Sequence, residues 1–266
     1  MKAAFFDIDG TLIPHGKNKI PDSTLKALTL LKEKGVKIFI ATGRPVTTID
    51  HVLKQFPFNG YLALNGQYCH VDGKVVRNVF IDKKDIERAI PYFQSHKISC
   101  VFAERDYVYI NLYSEQYQKF HVGKEDMMNP IDDISRIQDH DTYQLMIFIN
   151  EDQEYELFQH LDHCKSARWH PLFADVIPQD GGKNKGIDEI CQHLNISIEE
   201  TIAFGDGGND IDMLKHVGLG IAMGNASDKV KEAADYVTTD VENDGIYNAL
   251  KNFNIIEEKV YDKADC

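Results

Sequence analysis

Residues 3–12 read Ala-Ala-Phe-Phe-Asp-Ile-Asp-Gly-Thr-Leu. Four apolar residues run unbroken into an acidic pair, Asp7 and Asp9, and the turn signal Gly10-Thr11 follows. A short continuous apolar run closed by turn residues predicts a strand buried on both faces, the usual state of a strand in a parallel sheet covered by helices. Downstream, Asp22 is placed to cap a helix whose Leu25, Leu28 and Leu31 recur on one face, and Gly35 stops it. Residues 38–41 predict the next strand, ending in Thr42-Gly43-Arg44, and Pro45 suits the first turn of another helix. Strand, helix, strand, helix is the order of a parallel sheet with helices on its faces.

The same alternation returns late in the chain, with a helix over 187–194, a strand over 201–204, a helix over 209–216 and a strand over 219–223. The rhythm differs in between. Residues 82–96 read as a helix, 98–103 and 107–112 as a hairpin turning at Arg105-Asp106, and 143–149 as a strand. A helix over 151–164 and two short strands within 167–178, turning near Pro171, complete the segment. Hairpins mixed with helices mark an α+β module set into an α/β domain. The reading is therefore a Rossmann-like parallel-sheet core, residues 1–81 and 182–266, with an inserted α+β cap over 82–181. There is no internal repeat, and the last dozen residues, rich in Lys, Glu and Asp, are expected to fray.

Composition removes several function classes. Of the 266 residues 43% are hydrophobic and 27% charged, with 14 Phe and 12 Tyr spread along the chain, so disorder is excluded as the main state. The longest aliphatic or aromatic run, residues 145–149, is far short of the roughly 20 residues that span a bilayer. Two carboxylates in the first nine residues leave no room for a secretory h-region. With 29 Lys+Arg against 42 Asp+Glu, the net charge of −13 repels nucleic acid and anionic membranes, so an anionic partner must be small and held locally. Cys69, Cys100, Cys164, Cys191 and Cys266 form no CxxC unit and no disulfide framework, which suits a reducing compartment. The expectation is a cytoplasmic protein with no nucleic-acid or membrane partner, a monomer or weak homo-oligomer.

Three predicted strands of the α/β part end in reactive side chains: Asp7, Thr42 and Asp206. In an open parallel sheet ligands bind beyond the carboxyl ends of the strands, so these residues are expected on one rim. Asp9 joins Asp7 there, and Asp210 closes the run Gly-Asp-Gly-Gly-Asn-Asp at 205–210. Carboxylates crowded in this way call for a cation, and oxygen-only ligands point to Mg²⁺. A single Asp at a strand end is usually a turn or cap residue. It is the ordered set of motifs, each at a strand end or helix start, that argues for chemistry.

That set resembles the haloacid dehalogenase-like phosphatase superfamily, and within it the Cof-type branch with a large class IIB cap. The resemblance rests on D-I-D-G-T-L at 7–12, T-G-R at 42–44, N-G at 65–66, K-G at 185–186, G-D-G-G-N-D at 205–210, M-G-N-A at 223–226 and D-G at 244–245. It implies a Mg²⁺-dependent phosphomonoester hydrolase acting on a small phosphorylated metabolite, a sugar phosphate above all. Asp7 would attack phosphorus to give an aspartyl phosphate, and Asp9 would serve as acid and then base. Asp7 and Asp206 side chains and the Asp9 carbonyl would hold Mg²⁺. Thr42, Gly43, Asn209 and a lysine would bind the phosphoryl oxygens, with Arg44 and Asp210 in support. The third motif departs from the family's usual S-K-G, because Gly-Gly-Lys-Asn-Lys-Gly at 181–186 offers two lysines; Lys185 aligns better and Lys183 is the alternative.

A phosphomutase and a non-catalytic phospho-ligand sensor share this fold and stand as alternatives. A phosphoacceptor signalling domain shares the acidic pair but needs neither the insertion nor a second Asp placed as acid and base. Two other groupings have plainer readings: His160, His163 and Cys164 as a solvated helix face, and Tyr107, Tyr109 and Tyr113 as packing residues. In the cap's last hairpin, Arg168, Trp169 and His170 are the expected contacts to the leaving group.

Overall fold

The computed structural model describes residues 1–123 and 127–257. Its strands are β1 (Ala3–Phe6), β2 (Lys37–Ala41), β3 (Gly60–Ala63), β4 (Tyr68–Val71), β5 (Lys74–Asn78), β6 (Cys100–Ala103), β7 (Val108–Ile110), β8 (Gln144–Ile147), β9 (Cys164–His170), β10 (Phe173–Pro178), β11 (Thr201–Gly205), β12 (Leu219–Ala222) and β13 (Tyr236–Val237). They form two sheets. The first has eight strands in the order β13-β12-β11-β1-β2-β3-β4-β5. Pairs from β13 to β3 are parallel, and β4 and β5 extend the sheet as an antiparallel edge.

β1 lies at the centre because it is apolar on both sides, and all four of its residues have no exposed surface. Ala4 and Phe6 point to one face, where Phe6 stacks on Phe204 at 5.0 Å and the helices Asp22–Glu33 and Gly245–Asn252 supply Leu28, Leu31, Ile246 and Leu250. Ala3 and Phe5 point to the other, where Phe5 stacks on Phe39 at 5.2 Å beneath the helices Lys183–Leu194 and Ile211–His216. Each buried Phe contributes about 2 kcal/mol of transfer free energy, so a polar change at either site would break the layer. From β1 the chain moves to β2 and β3 on one side, while β11, β12 and β13 lie on the other. β1 is thus the topological switch point, and the crevice beyond its carboxyl end is where this architecture places a ligand.

The second sheet is antiparallel, in the order β7-β6-β8-β10-β9. One face packs on the helix Lys83–Ser95 through Phe102, Leu145, Ile147 and Val176. By the two-residue alternation of strands, Gln144, Met146, Lys165, Ala167, Asp175 and Ile177 share the opposite face. The register agrees, setting Asp175 opposite both Met146 and Ala167, and Ile177 opposite Lys165.

Several elements depart from the sequence-based expectation. The helix expected after Pro45 is only the turn Val46–Thr48 and the short helix Asp50–Leu53. The helix expected over 151–164 is α-helical only at Glu154–Leu157, because Cys164 already begins β9 and the amide of His163 donates to Asp85 at 2.8 Å. The helix expected from Asn209 opens as a tight turn, Gly208–Asp210, before Ile211–His216. Cys69, Cys100, Cys164 and Cys191 are free and buried. Cys266, and the end of the tail expected to fray, lie outside the described residues. Among the described residues no helix is long and apolar enough to cross a membrane.

Candidate active site

Asp7 is the first residue beyond β1, and its amide still donates to the Phe204 carbonyl at 3.0 Å. Ile8, between the two acids, is fully buried in the core below, while the Asp9 side chain is 42% exposed. Asp206 follows β11 and Thr42 follows β2, so the rim expected from the sequence is formed. The carboxylates of Asp7, Asp206 and Asp210 have oxygens within 4.8 Å of one another.

Lys183 enters this cluster from the first turn of the helix Lys183–Leu194, its side chain without exposed surface. Its ammonium donates to Asp7 Oδ1 at 2.7 Å and to Asp210 Oδ1 at 2.6 Å. Burial opposes its charge, yet Asp210 and Asp7 together hold it above the ordinary lysine value. Asp210 uses its second oxygen to accept the amides of Asp206 and Gly207 at 3.0 and 2.9 Å. Burial pushes Asp7 well above the ordinary carboxyl value; Lys183 works against this, while Asp210, Asp206 and Asp9 add to it.

The expected alignment of Lys185 is corrected here. Lys185 is exposed and pairs with Asp188 at 3.6 Å, away from the rim. The helical period explains it: positions 183, 186, 187 and 190 share the buried face, so Lys185, two residues on from Lys183, points outward. Counting back from Ile187 and Ile190 would have selected Lys183.

Asp206 is held by Thr11, whose hydroxyl donates at 2.8 Å, and by the Asn225 carboxamide at 3.3 Å, with His15 Nε2 at 3.4 Å. The carboxylate of Asp9 is gripped at both oxygens by Arg44, at 2.8 and 2.6 Å. The Thr42 hydroxyl accepts the Arg44 amide at 3.1 Å. Gly43 lies against the carboxamides of Asn65 and Asn209: a Cβ there would come within 3.2 Å of Asn65 and 3.3 Å of Asn209. Asn209 donates to Asn65 Oδ1 at 2.9 Å. Asn65 belongs to the quoted Asn-Gly pair but was not among the expected site residues; it lies two residues beyond β3 in left-handed backbone, φ 52°, and the Asn-Gly pair is the turn signal the sequence offers for it.

The second sheet covers this rim. At Gly208 a Cβ would lie 2.6 Å from the Arg168 carbonyl, so only glycine admits β9 so close to the motif. Between the layers lies a cavity of about 320 Å³, lined by Lys165 and Ile177 from above and by Asn65, Gly182, Asn209 and Lys229 from below. Arg168 also lines this cavity, and its guanidinium donates to Glu154 at 2.6 Å and to the carbonyls of Ile149, His170, Pro171 and Phe173 at 2.9–3.1 Å, which fastens the hairpin. Trp169 donates to Asp175 at 3.1 Å, and His170 stacks on Phe173 at 4.9 Å. His163 and Cys164 both turn to the buried carboxylate of Asp85, so they form no site with His160. Tyr109 is fully buried against Phe102, with Arg136 over the Tyr107 ring at 4.7 Å.

An acid-lined rim with one buried lysine, under an inserted antiparallel sheet, is the arrangement that the sequence resemblance implied. The haloacid dehalogenase-like hydrolase family model matches residues 4–250. The chain belongs to that family. This haloacid dehalogenase-like chain is 38% identical to the subclass IIB sugar phosphatase BT4131, whose structure superposes with a TM-score of 0.88 over 96% of this chain and 100% of that one. The phosphatase BT1666 of Bacteroides thetaiotaomicron is 34% identical, with a TM-score of 0.90 over 96% of each chain. YkrA of Bacillus subtilis, named as a candidate phosphatase, is 33% identical over 258 residues, 96% of this chain and 99% of its own. The haloacid dehalogenase-like enzyme described here is accordingly a phosphatase with a cap.

Proposed function

We propose that this enzyme is a Mg²⁺-dependent phosphomonoester hydrolase for small phosphorylated metabolites, sugar phosphates above all, working through an aspartyl phosphate on Asp7. The observation that carries the reading is the buried Asp7–Lys183–Asp210 cluster beside Asp206, at the carboxyl end of β1 and under the cap.

The donor set suits a hard divalent cation, since every candidate ligand atom is an oxygen. Asp7 and Asp206 would hold the ion, with the Asp9 carbonyl that the resemblance adds, while Asp210, whose oxygens meet Lys183 and two backbone amides, would support the lysine. Bound there, Mg²⁺ supplies positive charge against the phosphoryl oxygens and relieves the repulsion among the carboxylates.

A carboxylate oxygen of Asp7 bonds to phosphorus as the bond to the leaving oxygen breaks, and Asp9 delivers a proton to that oxygen. To do so Asp9 turns from Arg44 into the site. Water then attacks phosphorus and gives its proton to Asp9, and inorganic phosphate leaves as the Asp7 carboxylate is restored. Lys183, Thr42, the Gly43 amide and Asn209 stabilise the charge spread over the equatorial oxygens. Asp210 fixes Lys183.

The cavity of about 320 Å³ is at the small end for ligand sites, which supports a metabolite rather than a polymer. The four buried free thiols and the acidic balance support a cytoplasmic setting.

Inorganic phosphate release from a panel of sugar phosphates, without a bisphosphate activator, tests the hydrolase reading against a mutase. Asp7→Asn is expected to abolish turnover with the fold retained, and EDTA to abolish it until Mg²⁺ is restored. More than about a tenth of the wild-type rate in Asp7→Asn, only about 1.4 kcal/mol of barrier, would remove Asp7 from the nucleophile's role. Full activity after exhaustive chelation would sink the metal dependence.

A further inference from the structure

Asp175 is a carboxylate that the mechanism above does not use. It sits on β10, 1% exposed, on the cap face turned toward the rim. Its Oδ2 accepts from Asn65 Nδ2 at 2.9 Å and from Trp169 Nε1 at 3.1 Å. Its Oδ1 is buried without a hydrogen-bond partner. Asn65, itself 1% exposed, also donates to Gln144 of β8 at 2.9 Å. Two cap side chains therefore fix the Nδ2 of one core carboxamide, and its remaining oxygen receives Asn209 at 2.9 Å. With the oxygens of Asp175 and Gln144 both accepting from its Nδ2 and its Oδ1 accepting from Asn209, the Asn65 carboxamide presents its nitrogen to the cap and its oxygen to Asn209.

We propose that Asp175 is a positioning residue: with the cap seated, it orients Asn65 and, through Asn65, holds the Asn209 carboxamide at the phosphoryl site, a hold that is released when the cap lifts. The proposal rests on the reading that Asn209 binds the phosphoryl group. It deepens that reading by giving the cap a part in phosphate affinity itself, beyond recognition of the leaving group. Asn65 suits the relay because its backbone is anchored, with its amide donating to the Thr42 carbonyl at 3.0 Å, so that cap contact reorients only its carboxamide.

The seat is also pH-linked. Burial raises Asp175 to about 7, although the hydrogen bonds from Asn65 and Trp169 and the charge of Lys183 work against it. The charged group bearing on it is Lys183 of the core helix; Lys165 stands on the same sheet face, opposite Ile177, and Asn65, Gln144, Met146 and Trp169 do not titrate. With the cap lifted, water returns and the carboxyl regains its ordinary acidity, so seating the cap takes up a proton. Seating is then favoured at low pH and weakens as pH rises toward 7. Above that the group is ionised in both states and the dependence ends.

The test uses the full chain with acetyl phosphate, whose leaving group is too small to reach the cap, and inorganic phosphate as inhibitor. Asp175→Ala is expected to raise KM and the phosphate inhibition constant together by about tenfold, the scale of one lost hydrogen bond, with a smaller change in kcat. Asp175→Asn keeps an acceptor oxygen but cannot titrate. The ratio of wild-type to Asp175→Asn KM should therefore rise by at least about tenfold from pH 5 to 7 and level off above. An Ala variant with altered melting temperature but unchanged phosphate affinity would overturn the proposal. So would an Asn variant with the wild-type pH slope, which decides the matter alone should the Ala variant not fold. If Asn209→Ala leaves phosphate affinity unchanged, the underlying reading has failed; if it weakens affinity while the Asp175 variants do not, only the positioning role has.

Discussion

Lys183 and Lys185 stand two residues apart in Gly-Gly-Lys-Asn-Lys-Gly, and burial separates them. An ammonium taken out of water costs several kcal/mol, which two carboxylates at 2.7 and 2.6 Å offset. That arrangement persists only if the charge is used or the loss of either partner is worse. Lys183→Met is expected to lower kcat/KM by at least about a hundredfold, the scale for removing one donor from a developing oxyanion, on every substrate alike. Lys185→Met, which removes an exposed pair with Asp188, should stay within about twofold. Steady-state kinetics on acetyl phosphate with both variants checks this, and the reverse ranking would return the role to Lys185. The acids were legible because each follows an apolar strand run. The choice between the lysines was legible only through the helical period, and Asn65 only through its left-handed backbone, which a sequence signals weakly.

At the scale of elements, the parallel strands could be read because β1, β2 and β11 are buried on both faces and therefore continuously apolar. The antiparallel edge was harder to read. Lys74–Asn78 has no buried residue and so no apolar pattern, although Asp72-Gly73, with φ of 44° and 88°, is a strong hairpin signal. The expected helix over 151–164 failed because periodicity cannot see a distant acceptor. Asp85, fully buried in the first turn of the helix Lys83–Ser95, captures the His163 amide at 2.8 Å and the Arg88 guanidinium, and so stops the chain where β9 starts. Asp85→Asn preserves the shape but removes the charge that both donors meet. It should cost about 2–3 kcal/mol of stability by urea denaturation, with kcat for acetyl phosphate near wild type, since Asp85 lies on the cap face turned away from the rim. A loss below about 0.5 kcal/mol would show that β9 is set by its pairing with β10 alone.

For the whole molecule, a net charge of −13 would slow any anion's approach, so the local cations of the cleft must carry both attraction and selection. On the proposed mechanism Lys183 serves the phosphoryl group that all substrates share. Lys165 and Ile177 enter the cavity only from the cap, where a leaving group would extend, and Arg168 is tied up in the hairpin. The cap also lines the cavity with Glu151, Glu154, Ser166 and Arg168, and among its lining residues Lys165 is the cation outside the hairpin's own ion pair, so it is the cap residue whose loss is expected to alter selectivity. Lys165→Ala is expected to change kcat/KM unequally across sugar phosphates, by up to about tenfold for those carrying acceptor groups near the cap, while acetyl phosphate changes by less than about twofold. Asp175→Ala should affect all of them together, because it acts on the phosphoryl end through Asn65. Uniform losses from Lys165→Ala would mean that the ammonium steers substrates by charge alone. In that case its effect would fade as ionic strength shortens the Debye length, whereas selectivity built on direct contact would survive added salt.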